Sequence, residues 1–276
     1  MLKLLAPVRK NFSRKWKPYS MRVKDQLNRT LQFSETPKRI VSLVPSQTEL
    51  LVHLGLRDRI VGVTKFCVHP EELRKEVKVV GGTKNVHFHK IADLQPDIII
   101  CNKEENTQEI VEKCEEIAPV WVSDMVSIED SLDMMTRLGE LLGVSQAAGE
   151  LTDGISSAIK DFDVFMADKP EKRVAYLIWK KPYMAAGKDT FINTLLRLNR
   201  FENVLEKERY PEVTLEDMNQ ADLILLSSEP YPFKEKDVEE LQQKTNATVR
   251  LVDGEYFSWY GSRLLGAFPY FKSLHT

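Results

Sequence analysis

Short runs of β-branched and aliphatic residues recur along the chain, each followed by a polar turn and then by apolar positions spaced three and four apart. Arg39–Val44 is the first such run, and it ends in Pro45-Ser-Gln-Thr-Glu49. Ser46 is placed to cap a helix with Glu49 at its third position. Leu50, Leu51 and Leu54 supply the buried face, and Gly55 ends it. Ile60–Val63, Val77–Val80 and Pro96–Cys101 read as further strands. Alternation of this kind builds a parallel sheet covered by helices.

The same order returns in the second half. Arg173–Ile178 and Asp222–Leu226 read as strands, and Thr190–Leu198 as a helix with one apolar face. Ile91–Ile99 and Leu215–Ile224 echo each other, both a short helix running into a buried strand. Between the halves, 127–169 has no strand run. Ser127 with Asp130 predicts a helix start, Gly143 a break, and Ala147–Ala167 a second helix of about 20 residues, or about 30 Å. The fold expected is α/β, two Rossmann-like lobes with parallel sheets joined by a long rigid helix. Its parts are a basic arm over 1–36, a lobe over 37–143, the connecting helix over 144–169 and a second lobe over 170–276.

Composition narrows the class. Of 276 residues, 42% are hydrophobic and 29% charged, with a net charge of -2, which excludes a disordered chain. Three cysteines cannot build a disulfide framework and fit a reducing compartment. Residues 1–29 hold nine basic side chains against the single Asp25, so the arm is basic and the body mildly acidic. Such an arm is read as a solvated terminus, without nucleic-acid binding. The arm lacks the unbroken apolar core of a secretory signal, and no apolar run is long enough to cross a membrane. A cytoplasmic monomer is expected on these grounds.

Ligands of open parallel sheets sit beyond the carboxyl ends of the strands, so the following segments are the candidates for function. Cys67, His69, His87 and His89 are possible metal ligands in two of them, although their spacing matches no closed zinc pattern. Asn102–Asn106 is a polar loop at a strand end, open to a helix-start or a ligand-contacting reading. Gly81-Gly-Thr-Lys84 lacks the phosphate-loop frame and supports only a tight turn with Lys84 beside a cleft. Aromatic residues are dense in these loops: Phe66 and Phe88, then Trp179, Tyr183, Tyr210, Tyr231, Phe233, Tyr256, Phe257, Trp259 and Tyr260. They suit a cleft for a bulky ligand, with Arg263 free to orient an acidic group or to pair at the surface. An alternative is a metal- or cofactor-handling enzyme using Cys67, His69, His87 and His89, with Glu104 or Glu105 moving protons.

Arg39–Gly62, Asp93–Ile100, the helix between the lobes and Gly187–Asn203 together carry a resemblance. From about Pro37 onward the sequence resembles the helical-backbone solute-binding proteins of ABC importers for cobalamin, siderophores and haem, nearest to their vitamin B12-binding members. The resemblance implies non-catalytic binding of a corrinoid or iron chelate between the lobes, with no required cofactor. The implied lining is Phe66–His69, Lys84–His89, Trp179–Met184, Tyr210 and Glu255–Tyr260. It also implies an ABC permease as partner, docked through Glu216 on the second lobe, where His89 replaces the usual acid on the first. The periplasm is the alternative location that the resemblance implies.

Overall fold

A computed structural model describes residues 21–276. The N-terminal sheet is formed by β3 (Ile40–Ser42), β4 (Ile60–Val63), β5 (Lys78–Val79), β6 (Ile98–Asn102) and β7 (Val120–Ser123), all parallel in the order β5-β4-β3-β6-β7. It is preceded by an antiparallel hairpin of β1 (Met21–Lys24) and β2 (Thr30–Phe33). Its helices are α1 (Pro45–His53), α2 (Leu73–Glu76), α3 (Phe88–Asp93) and α4 (Gln108–Glu115). Two longer helices, α5 (Ile128–Leu141) and α6 (Ser145–Met166), lead to the second lobe.

There β8 (Lys172–Lys180), β9 (Tyr183–Ala185), α7 (Phe191–Leu198), β10 (Phe201–Asn203), β11 (Leu223–Ser227), α8 (Glu235–Gln242), β12 (Thr248–Val252), α9 (Glu255–Ser258) and α10 (Leu264–Ser273) follow. The second sheet has the order β10-β8-β11-β12, parallel throughout, with β9 antiparallel on β8.

Each sheet divides its side chains by the two-residue period of a strand. Ile40, Ile98, Ile100 and Trp121 of the first lobe join Val174, Tyr176, Leu223 and Leu225 of the second in one continuous core, together with α5, α6 and α10. The alternate positions, Val41, Ile99, Cys101 and Val120 in one lobe and Ala175, Leu177, Ile224 and Leu226 in the other, fill two separate outer cores. Strands buried on both faces explain why they read as unbroken apolar runs. Ser127 and Asp130 form the capping box that starts α5, and Gly143, at φ +70°, separates it from α6. Helix α6 has 22 residues, about 33 Å, and buries Leu151, Ile155 and Phe162 in the shared core.

Two local expectations are corrected. Helix α1 starts two residues early: Val44 is its cap, Pro45 takes the first helical position, and Ser46 lies inside the first turn without a capping bond. Proline at that position loses no hydrogen bond, so it supplants the serine. The folded body also begins ahead of Pro37, because Leu31 and Phe33 of the hairpin enter the shared core. Asp25, 1% exposed, accepts from the Leu27 and Arg29 amides and, at 2.7 Å, from the Arg29 guanidinium, while Arg29 reaches the Val120 carbonyl. The remainder of the basic arm, residues 1–20, lies outside the described residues.

Candidate functional site

Connections leave β3 and β6 toward opposite edges of the first sheet, and β8 and β11 do the same in the second. The crevices beyond these strand ends are where such sheets hold ligands. Strand β6 ends in Asn102, whose side chain builds the next turn. Its Oδ1 accepts from the Glu104 amide at 2.8 Å and the Glu105 amide at 3.1 Å, and its Nδ2 donates to Ser123. Asn106 closes the turn, accepting from the Asn102 amide and donating to the Thr83 carbonyl, both at 2.9 Å. Asparagine at both ends thus holds the loop by its own side chains.

The loop presents two acids to the other lobe. Glu104 forms an ion pair with Arg209, and its carbonyl accepts from the Lys84 ammonium at 2.6 Å. The Glu105 carboxyl has no hydrogen bond or ion pair among the described residues. Burial and the facing charge of Glu229 push it up to about 8, against the pull of Lys84. Its side chain as a whole is half-buried.

Glu229 comes from the turn after β11. Its Oε1 accepts from the Trp259 indole at 2.9 Å and from the Ser258 hydroxyl. Gly254 passes so near that a Cβ there would lie 2.2 Å from Ser227 Oγ and 2.9 Å from Glu229 Cγ, so only glycine fits beside this turn. Burial pushes the Glu229 carboxyl up, the Ser258 bond opposes this, and Glu255 adds to the rise.

The lobes meet through charge along the same seam. Arg263 holds Glu49 of α1 at 2.7 and 2.9 Å and Glu255 at 2.8 Å, and His69 Nε2 lies 2.9 Å from Glu255. Trp259 is 7% exposed, with the Arg263 guanidinium 4.8 Å from its ring centre and the His69 ring edge-on at 5.3 Å.

Several sequence-selected residues gather here. Phe66 is 48% exposed, Tyr210 is half-buried against the shared core beside Arg209, and Tyr256 stacks on Tyr270 at 4.7 Å. Burial pushes the Tyr210 phenol up to about 12. Trp179, 40% exposed, belongs to a second group, edge-on to Tyr231 at 5.6 Å and through it to Phe233. Tyr183, Tyr231 and Phe233 pack on the outer core of the second lobe, as Phe88 does on that of the first.

Other expectations are corrected. Tyr260 is 6% exposed and edge-on to Phe191, and Phe257 is fully buried, so both rings seal the seam from inside. Arg263 is spent on two acids and is not a free cation. Cys67 is fully buried, its thiol against Thr48 and Thr64 at 3.1 and 3.3 Å and pushed up by burial. That removes it from a shared ion site with His69, which is held by Glu255, or with His87 and His89, which are exposed. Among the described residues no group of three or more His, Cys, Asp or Glu is arranged for a metal ion. Glu216 is exposed in the turn before β11. A polar recess of 690 Å3 follows the β10 edge of the second lobe, lined by groups such as Lys188, Arg197 and Glu206. Glu229 escaped sequence reasoning; a proline-flanked acid directly after a buried strand was its only signal.

Two parallel-sheet lobes on a shared core, with their strand-end loops meeting at one seam, define a bilobal binding scaffold. The chain matches the periplasmic binding protein family over residues 40–248 and belongs to that family. It is 29% identical over 193 residues to an uncharacterised ABC transporter substrate-binding lipoprotein of Bacillus subtilis, a match covering 67% of this chain and 61% of the relative. Among solved structures it is similar to the periplasmic vitamin B12-binding protein of Vibrio cholerae, at a TM-score of 0.75 and 20% identity over 86% of this chain and 96% of that one. It is likewise similar to a periplasmic haem-binding protein of Pseudomonas aeruginosa, at 0.76 and 20% over 87% and 92%. The family is one of binding proteins, which leaves the metal-handling enzyme without support. Its periplasmic description likewise gives none to a cytoplasmic location. No helix among the described residues is long and apolar enough to cross a membrane.

Proposed function

We propose that this protein is the substrate-binding component of an ABC importer and holds a metal chelate of the corrinoid, haem or siderophore class between its lobes, without chemical change to the chelate. The observation that carries the reading is the meeting, at one seam, of the strand-end loops of both sheets, with the exposed Phe66 ring, the half-buried Tyr210 and His69 near a carboxyl that has no partner among the described residues. Aromatic faces with a few placed polar groups suit a large flat or domed ligand. An extracytoplasmic location and docking to a permease through Glu216 belong to the same proposal. The test is titration of the purified protein with cyanocobalamin, cobinamide, haemin and ferric siderophores, read by visible absorbance and thermal unfolding. A binder at a hundredfold excess over its Kd adds about 2.7 kcal/mol of stability. No band shift and no stabilisation with any of them overturns the proposal.

A further inference from the structure

We infer that the contact between the amino end of α1 and residues 260–263 is a joint that parts and recloses in the native protein, and that ligand enters the seam through it. The second half rests on the chelate-binding reading; the first half does not.

Five buried side-chain polar atoms have no hydrogen-bond partner among the described residues, and three of them lie at this one contact: Ser46 Oγ and Gln47 Oε1 on α1, and Ser262 Oγ opposite. Their residues are 3%, 0% and 7% exposed, so water does not replace the missing partners. The two segments touch on both sides of Ser262. Gly261, at φ +95°, lies against α1, where a Cβ on it would be 3.4 Å from Leu50 Cβ and 3.8 Å from the Ser46 carbonyl oxygen, and Arg263 holds Glu49 at 2.7 and 2.9 Å. Gln47 donates through Nε2 to Ser123 and reaches the Tyr260 hydroxyl only at 3.4 Å, which leaves its Oε1 without a donor. Ser46 Oγ stands near the same hydroxyl outside hydrogen-bond geometry. Val44, at the cap of α1, gives the first amides of the helix no side-chain acceptor.

A dry, unpaired polar group costs the closed state its full desolvation, and water removes that cost as soon as the joint parts. What holds the joint shut is Arg263 between Glu49 and Glu255, with the Tyr260 ring edge-on to Phe191. Ion pairs that keep some contact with water resist hydration weakly. One turn further along, Leu50 and Leu51 of α1 and Leu264 of α10 belong to the shared apolar core, and separating them would expose it. The joint is thus the rim of the lobe contact, and it opens at the least cost. A parted rim is a minor state of the native ensemble, and a chelate entering through it draws on that state.

Hydrogen exchange read by mass spectrometry tests the wild-type protein first. Segments 46–54 and 260–265 exchange roughly tenfold or more faster than the interior of α6, because the rim parts without unfolding the core. Protection equal to that of α6 overturns the inference. Ser46→Ala combined with Ser262→Ala then removes two dry hydroxyls and no hydrogen bond. The melting temperature without ligand rises by roughly 2–4 °C, and exchange of both segments slows by roughly fivefold or more. An unchanged or lower melting temperature overturns the inference, since a merely structural serine loses stability on truncation. In stopped-flow mixing with cyanocobalamin, haemin and ferrioxamine B, read by tryptophan fluorescence, the variant associates roughly fivefold or more slowly than the wild type. Equal association rates overturn entry through the joint. Binding of none of the three, with the melting and exchange results as expected, counts against the chelate reading and leaves the joint standing.

Discussion

The lobes meet in two chemically opposite ways. At the back, residues from both sheets interleave with α5, α6 and α10 in one dry core, where Phe162 lies 5.6 Å from Phe268 and 6.0 Å from Phe271. At the front the contacts are polar: Arg263 pairs with Glu49 and Glu255, Arg209 pairs with Glu104, and His69 hydrogen-bonds Glu255, in groups that keep partial contact with water. Close-packed apolar contact fixes a geometry, whereas partly hydrated ion pairs can exchange partners at little cost. The contrast assigns stability to the back and, under the proposed function, ligand access to the front.

The largest effect on folding should come from breaking the back. Phe162→Ala removes a fully buried ring from the helix that both lobes share and should cost about 3–5 kcal/mol. Urea unfolding followed separately by far-ultraviolet circular dichroism and tryptophan fluorescence should still give one coincident transition. Two resolved transitions would show that the lobes do not depend on a common core.

The pH response should separate the two regions next. Glu105 at the front is held to about 8, so between its unfolded value and 8 the folded state carries the extra proton and stability falls as pH rises. His275 at the back, beside Phe165 and Phe201, is lowered by burial to about 4. Between about 4 and 6.5 the unfolded state carries the extra proton, so this group removes stability as pH falls. Thermal melts should show Glu105→Gln flattening the loss between pH 6.5 and 8, and His275→Phe the loss on the acid side. Unchanged profiles would mean that neither group is desolvated as described.

How much of this was legible in the sequence follows from range. Strand β6, helix α5 with its capping box and the Gly143 break are local signals, written in periodicity and in residues three apart. The β1–β2 hairpin was hidden because its anchors, Asp25 to the Val122 amide and Arg29 to the Val120 carbonyl, join residues some ninety positions apart. β7 was hidden because four buried residues between helices carry no readable period. At the candidate site, Phe66 and the Asn102–Asn106 loop were legible from their place after strands. The fates of Tyr260, Arg263 and Cys67 were not, since they depend on Phe191, Glu49 and Thr48 brought near by the fold.

A smaller effect is expected from the front. Arg263→Ala leaves Glu49 and Glu255 facing each other without their shared cation, and the site is partly hydrated, so a loss of about 1–2 kcal/mol is expected. The deficit should shrink in 1 M salt, where charges are screened within about 3 Å. The Phe162→Ala deficit should not shrink. A salt-insensitive Arg263→Ala deficit would place that residue energetically with the back.

The smallest effect on stability, and the sharpest on binding, should come from Phe66. Its ring is 48% exposed, with the Lys65 ammonium 4.9 Å from its centre, and no core contact depends on it. Phe66→Ala should therefore shift unfolding by less than about 0.5 kcal/mol. A ring held open at a crevice has already met the cost of ordering and regains its hydration penalty only when a ligand covers it. Loss of that contact should weaken the tightest chelate by about 1 kcal/mol, a several-fold rise in Kd read by titration. An unchanged Kd, with binding otherwise intact, would move the ligand away from this ring and toward the Trp179–Tyr231 group on the second lobe.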